Sequence, residues 1–355
     1  MTSVERHTGQ TADRTTSWGA SQEVLPFPPQ TPSPAAPRAE QEMHGWARRM
    51  GLVPDPAEFA RLARMRLGTW AGYVHPLGTP GELALAAEWV AFICLVDDVF
   101  DSDELAADDR PQAVHELLAD LLQVLDGTSS GRERPNSPYV RALNDLWQRT
   151  APTASPGWAG RFTADYRDFA AASVAEARLR QQATPLGLQE YLALRRQSIT
   201  MLPALHIGEA VSHIELPDQW RTHDVVGALR QTVVDAVGYG NDIASAESEH
   251  ARGQDNLISI LHREQTTSRD QAYAIARAML HERLRHFDAT ASHLTAPGGS
   301  QTQSTTAPPP MVLAYAQMLQ TWMRGTLQWS FETARFVPDT AQDKARRPED
   351  GGHEG

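Results

Sequence analysis

Apolar side chains recur at helical spacing along nearly the whole chain from residue 41 onward, and this regularity restricts the fold more than any other feature. The clearest repeats are Leu117, Leu118, Leu121, Leu122 and Leu125, and later Val226, Leu229, Val233 and Val237. Spacing of three and four residues places apolar groups on one face of an α-helix. We find no segment of comparable quality in which apolar and polar residues alternate as they do in a strand. The sequence therefore predicts an all-α fold, with one helical domain over residues 41–337.

Both ends of the chain have a different composition. Residues 24–37 read VLPFPPQTPSPAAP, with six prolines. Proline at this density removes helix and ladder hydrogen bonds and favours the extended polyproline II conformation. We therefore expect residues 1–40 to be a disordered Pro-rich tail and residues 338–355 to be a second disordered tail. The segment TAPGGSQTQSTTAPPP at 295–310 is expected to be a surface loop.

Composition excludes several classes of protein. The 355 residues include 44 acidic and 32 basic side chains, a formal charge of −12 and a single cysteine. One cysteine cannot form an internal disulfide or a thiolate zinc site, and the acidic balance argues against nucleic acid as a partner. The chain starts MTSVERHTGQ, without the apolar core of a secretory signal. The longest apolar stretch, Leu83–Val96, is shorter than the ~20 residues that span a bilayer. We therefore expect a cytoplasmic protein with no membrane partner.

Three aspartates follow that apolar stretch directly. In WVAFICLVDDVFDSDE (89–104), Asp97 and Asp101 are four residues apart and would project side by side from a helix, with Asp98 about 100° around it. Neighbouring carboxylates repel each other unless a cation lies between them, and hard oxygen ligands at this spacing suit Mg²⁺. A solvated helix end is the alternative for this segment alone. Anions, however, are unfavourable in the C-terminal half of a helix.

A second polar stripe occurs in VVDAVGYGNDIASAESEHARGQDNLI (233–258). Asn241, Ser245 and Glu249 stand four residues apart, so their amide, hydroxyl and carboxylate oxygens share one helix face and could hold a second Mg²⁺. Asp242 lies beside them and could hydrogen-bond these ligands. An ordinary exposed face is the alternative when this stripe is taken by itself. Two oxygen-rich sites on two apolar helices suit a substrate with a polyanionic head and a hydrocarbon tail.

With both motifs in this order, the sequence resembles the bacterial class I terpene synthases. DDVFD at 97–101 is similar to the DDxxD motif of that family, and NDIASAESE at 241–249 to its Asn-Asp-x-x-Ser-x-x-x-Glu motif. The resemblance implies a single α-helical bundle around a central apolar cavity, with the two motifs facing each other across its mouth. It implies three Mg²⁺ ions that bind the diphosphate of a linear isoprenyl substrate. Asp97, Asp98 and Asp101 would form one metal site, and Asn241, Ser245 and Glu249 the other.

The resemblance also suggests roles for residues outside the two motifs. Family members carry an arginine that senses the diphosphate, and in YLALRRQSIT (191–200) we assign this role to Arg195, with Arg196 as the second choice. Ser198 and Ile199 would then occupy the turn where the helix breaks to deliver a polarising carbonyl. Arg335 would donate to the diphosphate, as the arginine of the family's Arg-Tyr pair does. Because Lys344 is the only lysine in the chain, phosphate recognition must fall to arginine in any case.

Two positions depart from the family pattern. Phe336 replaces the tyrosine of the Arg-Tyr pair, which removes a phenol hydroxyl, and Ser248 stands where lysine is common, which removes a cation near the phosphates. Neither is a metal ligand, so activity is still expected. Aromatic rings in the cavity could stabilise a carbocation, each by roughly 0.5–2 kcal/mol. Phe92 is the preferred candidate, although packing in the core is the alternative for every aromatic residue.

The sequence thus predicts a lyase of isoprenoid secondary metabolism. We expect a Mg²⁺-dependent cyclase that converts farnesyl diphosphate to a sesquiterpene and releases diphosphate. A monoterpene or diterpene synthase acting on geranyl or geranylgeranyl diphosphate is the alternative within the family. A chain-elongating prenyltransferase, which shares the helical bundle, is a related alternative, and a non-catalytic isoprenoid-binding protein is the alternative of another class. The sequence allows a homodimer but does not determine the oligomeric state, and it does not determine which terpene is produced.

Overall fold

The computed structural model of the chain describes residues 25–100, 109–128, 137–295 and 308–336, and these residues form α-helices without strands. In the first half the helices are α1 (Ala36–Met50), α2 (Pro56–Met65), α3 (Leu67–Val74), α4 (Pro80–Phe100), α5 (Arg110–Leu125), α6 (Pro138–Thr150) and α7 (Trp158–Gln181). In the second half they are α8 (Leu188–Ser198), α9 (Met201–Val211), α10 (Asp218–Arg221), α11 (Asp224–Ala251), α12 (Leu257–Glu264), α13 (Arg269–Thr295) and α14 (Pro310–Glu332). The all-α class predicted from the apolar periodicity is confirmed.

Local sequence signals explain many of the helix ends. The Asp55 side chain accepts the backbone N–H of Ala57 at 2.8 Å, and Pro56 follows it at the first helical position, where its missing N–H costs nothing. Ser137 precedes Pro138 in the same arrangement. Pro76 and Pro217 lie in connections between helices, whereas Pro80 is the first residue of α4.

The central helix is α4, which is buried along most of its length and packs against α1 and α3. The long helix α11 packs against α13 and α14, and α5 packs against α7. Between these layers lies an aromatic core of fully buried side chains: Trp46, Trp89, Phe92, Trp158, Phe162, Phe287, Tyr315 and Trp322. Buried indoles still find acceptors, since Trp158 Nε1 donates to the His206 carbonyl at 2.7 Å and Trp329 Nε1 to that of Met65 at 2.7 Å.

The predicted boundary between tail and domain at residue 40 is wrong within the described residues. Helix α1 begins at Ala36, and Leu25 and Phe27 are buried in the core. The Gln30 N–H donates to Gln328 Oε1 at 2.7 Å, which fixes this segment on α14. Proline prevents regular hydrogen bonding but does not prevent an extended segment from packing its apolar side chains, and this explains the error. Residues 1–24, 296–307 and 337–355 lie outside the described residues, so the remaining boundaries stay predictions.

None of the helices in the described ranges is long and apolar enough to cross a membrane.

Candidate active site

The first acidic motif lies at the C-terminal end of α4, where the buried helix reaches solvent. Asp97 is largely exposed and Asp98 partly buried, whereas Leu95 and Val96 immediately before them are buried. The helix therefore carries its carboxylates from the core to the rim of the bundle, as the sequence predicts. Asp101 lies outside the described residues, and its contribution stays a prediction.

Arg335 follows the last helix and forms a bridge across this motif. Its Nη2 donates to Asp97 Oδ2 at 2.9 Å, and its Nη1 lies 2.8 Å from Asp98 Oδ1. Burial disfavours its charge, yet the carboxylates of Asp98 and Asp97 raise the pKa of Arg335 above its ordinary value. The structure thus brings together the predicted diphosphate donor and the predicted metal ligands.

The second motif lies in the C-terminal half of α11. Ser245 Oγ is turned back to the helix and donates to the Asn241 carbonyl at 2.8 Å. Burial and the nearby Asp242 raise the pKa of Glu249 to about 7, while Arg195 and hydrogen bonds partly offset the shift. The predicted stripe of amide, hydroxyl and carboxylate oxygens is present on one helix.

Arg195 of α8 is attached to this second motif. Its Nη2 donates to Asn241 Oδ1 at 2.7 Å, and its Nε donates to Asp242 Oδ1 at 3.0 Å. Arg196, the second choice, turns to Asp235 instead, with Nε 2.7 Å from Oδ1. The contacts therefore favour Arg195 over Arg196 as the arginine beside the motif.

Asp242 is 1% exposed and holds Arg195 rather than the three predicted ligands. It accepts the hydroxyl of Tyr191 at 2.5 Å and the backbone N–H of Leu257 at 3.3 Å, besides Arg195. The prediction that its side chain would hydrogen-bond the metal ligands directly is wrong, since Arg195 lies between it and Asn241. Asp242 thus orients the cationic group of the site.

Helix α8 ends at Ser198 and α9 begins at Met201, so the helix breaks where the family resemblance suggested. Ile199 is the last residue near helical geometry, and Thr200 has φ = 64°, in the left-handed region that a β-branched residue rarely adopts. Ser198 Oγ donates to Glu176 Oε1 at 2.5 Å. The break lies one turn after Arg195, which places strained backbone beside the candidate site.

Sequence reasoning missed Glu176 and Asn256. Burial raises the pKa of Glu176, Arg195 opposes this effect and Asp97 adds to it, so this carboxyl of α7 interacts electrostatically with both side chains. Asn256 Nδ2 donates to Glu249 Oε2 at 2.8 Å and to the Asp242 carbonyl at 3.0 Å. The only sequence signal for Glu176 was an acidic residue within a run of apolar and small residues. The only signal for Asn256 was a capping residue directly before α12.

The remaining predicted positions lie in or against the core. Phe92 is 1% exposed and meets Trp89 edge to face at 6.3 Å between ring centroids. Phe336 contacts Trp329 in the same way at 6.2 Å. Ser248 is buried, and its Oγ donates to the Ser245 carbonyl at 2.8 Å.

The donor set of the two motifs fits a hard divalent cation. All its atoms are carboxylate, amide or hydroxyl oxygens, the ligand types that Mg²⁺ prefers. Among the described residues Asp98 Oδ2 is buried without a hydrogen-bond partner, with Arg61 Nε 3.6 Å away, and burial raises the pKa of Glu249 although Arg195 opposes the shift. The described residues contain no cluster of three or more Asp, Glu, His or Cys side chains placed to bind a metal. The second motif supplies an amide and a hydroxyl instead.

Comparison with known proteins places this arrangement in context. Residues 88–286, more than half of the chain, match the sequence model of terpene synthase family 2, C-terminal metal binding. Pentalenene synthase of Streptomyces arenae is 29% identical over 311 residues, covering 87% of this chain and 90% of that protein. A (−)-β-caryophyllene synthase of Saccharothrix espanaensis, described as cyclizing (2E,6E)-farnesyl diphosphate, is 28% identical over 90% of this chain and 89% of its own length. The crystal structure of germacradien-4-ol synthase from Streptomyces citricolor superposes with a TM-score of 0.74 at 26% identity, covering 87% of this chain and 97% of that one.

Proposed function

This chain belongs to the terpene synthase family, lyases that cyclise isoprenyl diphosphates, and we propose that it is a Mg²⁺-dependent class I cyclase that converts farnesyl diphosphate to a sesquiterpene. The observation that carries the proposal is the pairing of each acidic motif with a buried or partly buried arginine. Arg335 bridges Asp97 and Asp98, and Arg195 joins Asn241 to Asp242. Each motif thus presents oxygen ligands beside an arginine.

Asp97, Asp98 and Asp101 would hold Mg²⁺ at the first motif, and Asn241, Ser245 and Glu249 at the second, with three ions in all. Bound Mg²⁺ would act as a Lewis acid that stabilises the departing diphosphate and fixes its position. The choice of farnesyl diphosphate follows the substrate named for the caryophyllene synthase of Saccharothrix espanaensis.

The protein's own groups would bind and orient the diphosphate. Arg195 and Arg335 present planar guanidinium forks, which suit phosphate oxygens and keep their charge at any physiological pH. In the free protein these forks are held by acidic and amide partners, so substrate oxygens would take over hydrogen bonds that are already oriented. Preorganised donors of this kind lower the free energy of charge that develops on a leaving group.

Apolar walls would protect the hydrocarbon chain after the diphosphate leaves. The helices that carry the motifs are mostly buried up to the rim, so water has little access to their inner faces. The helix breaks at Ile199 and Thr200, one turn after Arg195, and Ser198 and Ile199 would direct a carbonyl dipole at the reacting end of the substrate. Phe92 would contribute a ring face to carbocation stabilisation.

A substrate panel tests this proposal directly. The purified protein is incubated separately with geranyl, farnesyl and geranylgeranyl diphosphates, with Mg²⁺ or with EDTA, and extracts are analysed by gas chromatography and mass spectrometry. We expect a cyclic C15 product from farnesyl diphosphate that requires Mg²⁺. Activity on geranyl or geranylgeranyl diphosphate alone would refute the chain length, and activity in EDTA would refute the metal requirement. Absence of products with all three substrates would refute the function.

A further inference from the structure

A cavity of about 290 Å³ lies at the end of the bundle away from the two acidic motifs. Six polar residues line it: Arg161, Asp165, His206, Glu209, Arg221 and Arg230. Along α11, Arg230 precedes Asn241 by 11 residues, which at 1.5 Å per residue places its backbone roughly 16 Å away. We call this space the basal cavity. The reaction proposed above does not use it.

The acidic groups of the basal cavity are already paired. Glu209 is 3% exposed, and its carboxylate accepts Arg230 at 3.2 Å and the hydroxyl of Tyr315 at 3.1 Å. His206 lies between the two acids, with Nδ1 3.2 Å from Glu209 and Nε2 2.8 Å from Asp165. Burial opposes ionisation of Glu209, but His206 and the nearby arginines outweigh it and lower the pKa to about 2. Glu209 therefore remains an anion with its own partners.

Two of the basic groups lack close partners. The pairs that Arg221 forms with acidic residues span 3.7–3.9 Å, longer than a hydrogen bond. Arg161 reaches Glu209 only at 4.0 Å and Ser155 at 3.4 Å. Within the described part of the chain, the Nε atoms of both arginines are buried without a hydrogen-bond partner. Two guanidinium groups beside one cavity thus have unused donors.

The residues that line the cavity include more basic than acidic groups. Three arginines and two carboxylates line it, while Asp218 and Glu215 lie 3.7 and 3.9 Å from Arg221 outside the lining. Burial and then the proximity of Arg221 lower the pKa of Arg161. Buried polar groups and buried charges are costly unless they are compensated, so a cavity with unused arginine donors favours an anion.

We propose that the basal cavity binds a small phosphate-type oxyanion through Arg161 and Arg221. Guanidinium forks match the oxygens of phosphate, and the cavity has room for inorganic phosphate or for the larger diphosphate. Arg230 contributes charge but stays tied to Glu209 and Tyr315. The site is independent of the proposed cyclase reaction. Diphosphate would nevertheless link the two sites, because it is the product that a terpene synthase releases.

Isothermal titration of the full chain tests this site. Sodium phosphate and sodium diphosphate are titrated in separate experiments, with EDTA present and with ionic strength held constant by sodium chloride. The test variant is Arg161→Gln with Arg221→Gln. The matched control, Arg38→Gln with Arg167→Gln, removes two arginine charges from side chains that are 69% and 51% exposed. We expect the wild type and the control to bind, and the test variant to bind at least about tenfold more weakly.

Further outcomes decide against the site. Absence of binding of either anion to the wild type, or equal affinity in the test variant, would overturn the proposal and leave the cluster as an ion-pair network. Loss of binding in Arg335→Gln with retention in the test variant would place the anion at the acidic motifs. Thermal unfolding of the same samples gives a further check. If sodium chloride raises the melting temperature as much as phosphate does, the effect is charge screening alone, and this would also overturn the proposal. If circular dichroism shows that the double variant is unfolded, the single variant Arg161→Gln decides by the same criterion.

Discussion

At the scale of single residues, the first prediction concerns the two metal motifs. Asp97→Asn and Asn241→Ala should each lower kcat/KM by at least about 100-fold, because each removes an oxygen ligand or a charge where diphosphate departs. Far-UV circular dichroism should be unchanged, since Asp97 is largely exposed and both side chains lie at the rim. Asp168→Asn, at an exposed position of α7, is the control and should keep full activity. Wild-type turnover in either motif variant would contradict the site assignment.

A second residue-scale prediction concerns Asn256, which positions Glu249. Asn256→Asp keeps the oxygen that caps α12 but loses the Nδ2 donor and places a carboxylate against Glu249. Groups that orient metal ligands typically contribute 10–100-fold to affinity. We therefore expect Mg²⁺ to bind about tenfold more weakly, as measured by calorimetric titration in the presence of diphosphate.

The control for Asn256 is Ser137→Asp, another helix cap, whose hydroxyl accepts the local backbone N–H of Val140. This variant should bind Mg²⁺ like the wild type. Equal Mg²⁺ affinity in Asn256→Asp and the wild type would show that Asn256 acts only as a helix cap.

The residues of the two motifs could be predicted because the spacing of their oxygen-bearing side chains within one helix indicates a shared face. Asp97, Asn241 and Glu249 follow apolar runs on helices, and helical geometry alone places each set on one rim. Arg195 was selected from a family resemblance, and its contacts with Asn241 and Asp242 agree with that choice. Glu176 and Asn256 reach the site through tertiary packing, from α7 and from the start of α12. No spacing rule in one sequence contains that information.

At the scale of helices, close backbone contacts distinguish packed elements from tails. Gly68 of α3 lies against α1, and a Cβ at this position would stand 2.5 Å from the Glu40 nitrogen and 2.6 Å from the Ala36 oxygen. Because these are backbone atoms, no side-chain rotation relieves the contact. Both neighbours belong to the segment that the proline-rich composition assigned to a tail. Composition describes what a segment can do by itself, whereas docking depends on its partner.

Gly68→Ala should therefore separate α1 from α3 and lower the free energy of unfolding by about 1–3 kcal/mol, the usual cost of overpacking. Urea titration followed by circular dichroism measures this change. Gly227→Ala in α11 is the matched control, because nothing lies within 4 Å of its added Cβ. It should stabilise the protein by up to about 1 kcal/mol through helix propensity. A Gly68→Ala variant as stable as the wild type would contradict the docking of α1.

Helix breaks show a second limit of prediction at this scale. Leu62, Met65, Leu67 and Trp70 follow one helical pattern, yet α2 ends at Met65 and α3 begins at Leu67. Arg66 between them has φ = 55°, although arginine is a good helix former. The Met65 carbonyl accepts the Trp329 indole at 2.7 Å and the Thr333 hydroxyl at 3.1 Å. Contacts with the end of α14 thus accompany a break that local propensity opposes.

At the scale of the whole molecule, burial of ionisable groups makes stability depend on pH. His75 follows α3 and is 5% exposed, and its ring meets that of Trp322 edge to face at 5.5 Å. Its Nε2 is buried without a hydrogen-bond partner among the described residues, and Ser212 Oγ lies 3.3 Å from Nδ1. Burial lowers the pKa of His75 to about 4 from an ordinary value of 6.5, although Glu82 opposes the shift. The fold therefore holds this imidazole in its neutral form.

Acidification from pH 6.5 to pH 4 should cost stability through this residue. In that range the unfolded chain binds a proton at His75 and the folded protein does not, so the free energy of unfolding falls as pH falls. The shift corresponds to about 3 kcal/mol at the acidic limit. Urea titrations at half-unit pH intervals should show a shallower loss for His75→Phe than for the wild type, while His115→Gln, at an exposed position, keeps the wild-type slope. Parallel curves for wild type and His75→Phe would mean that His75 accepts its proton in the folded protein, and would contradict its enclosure between α3, α9 and α14.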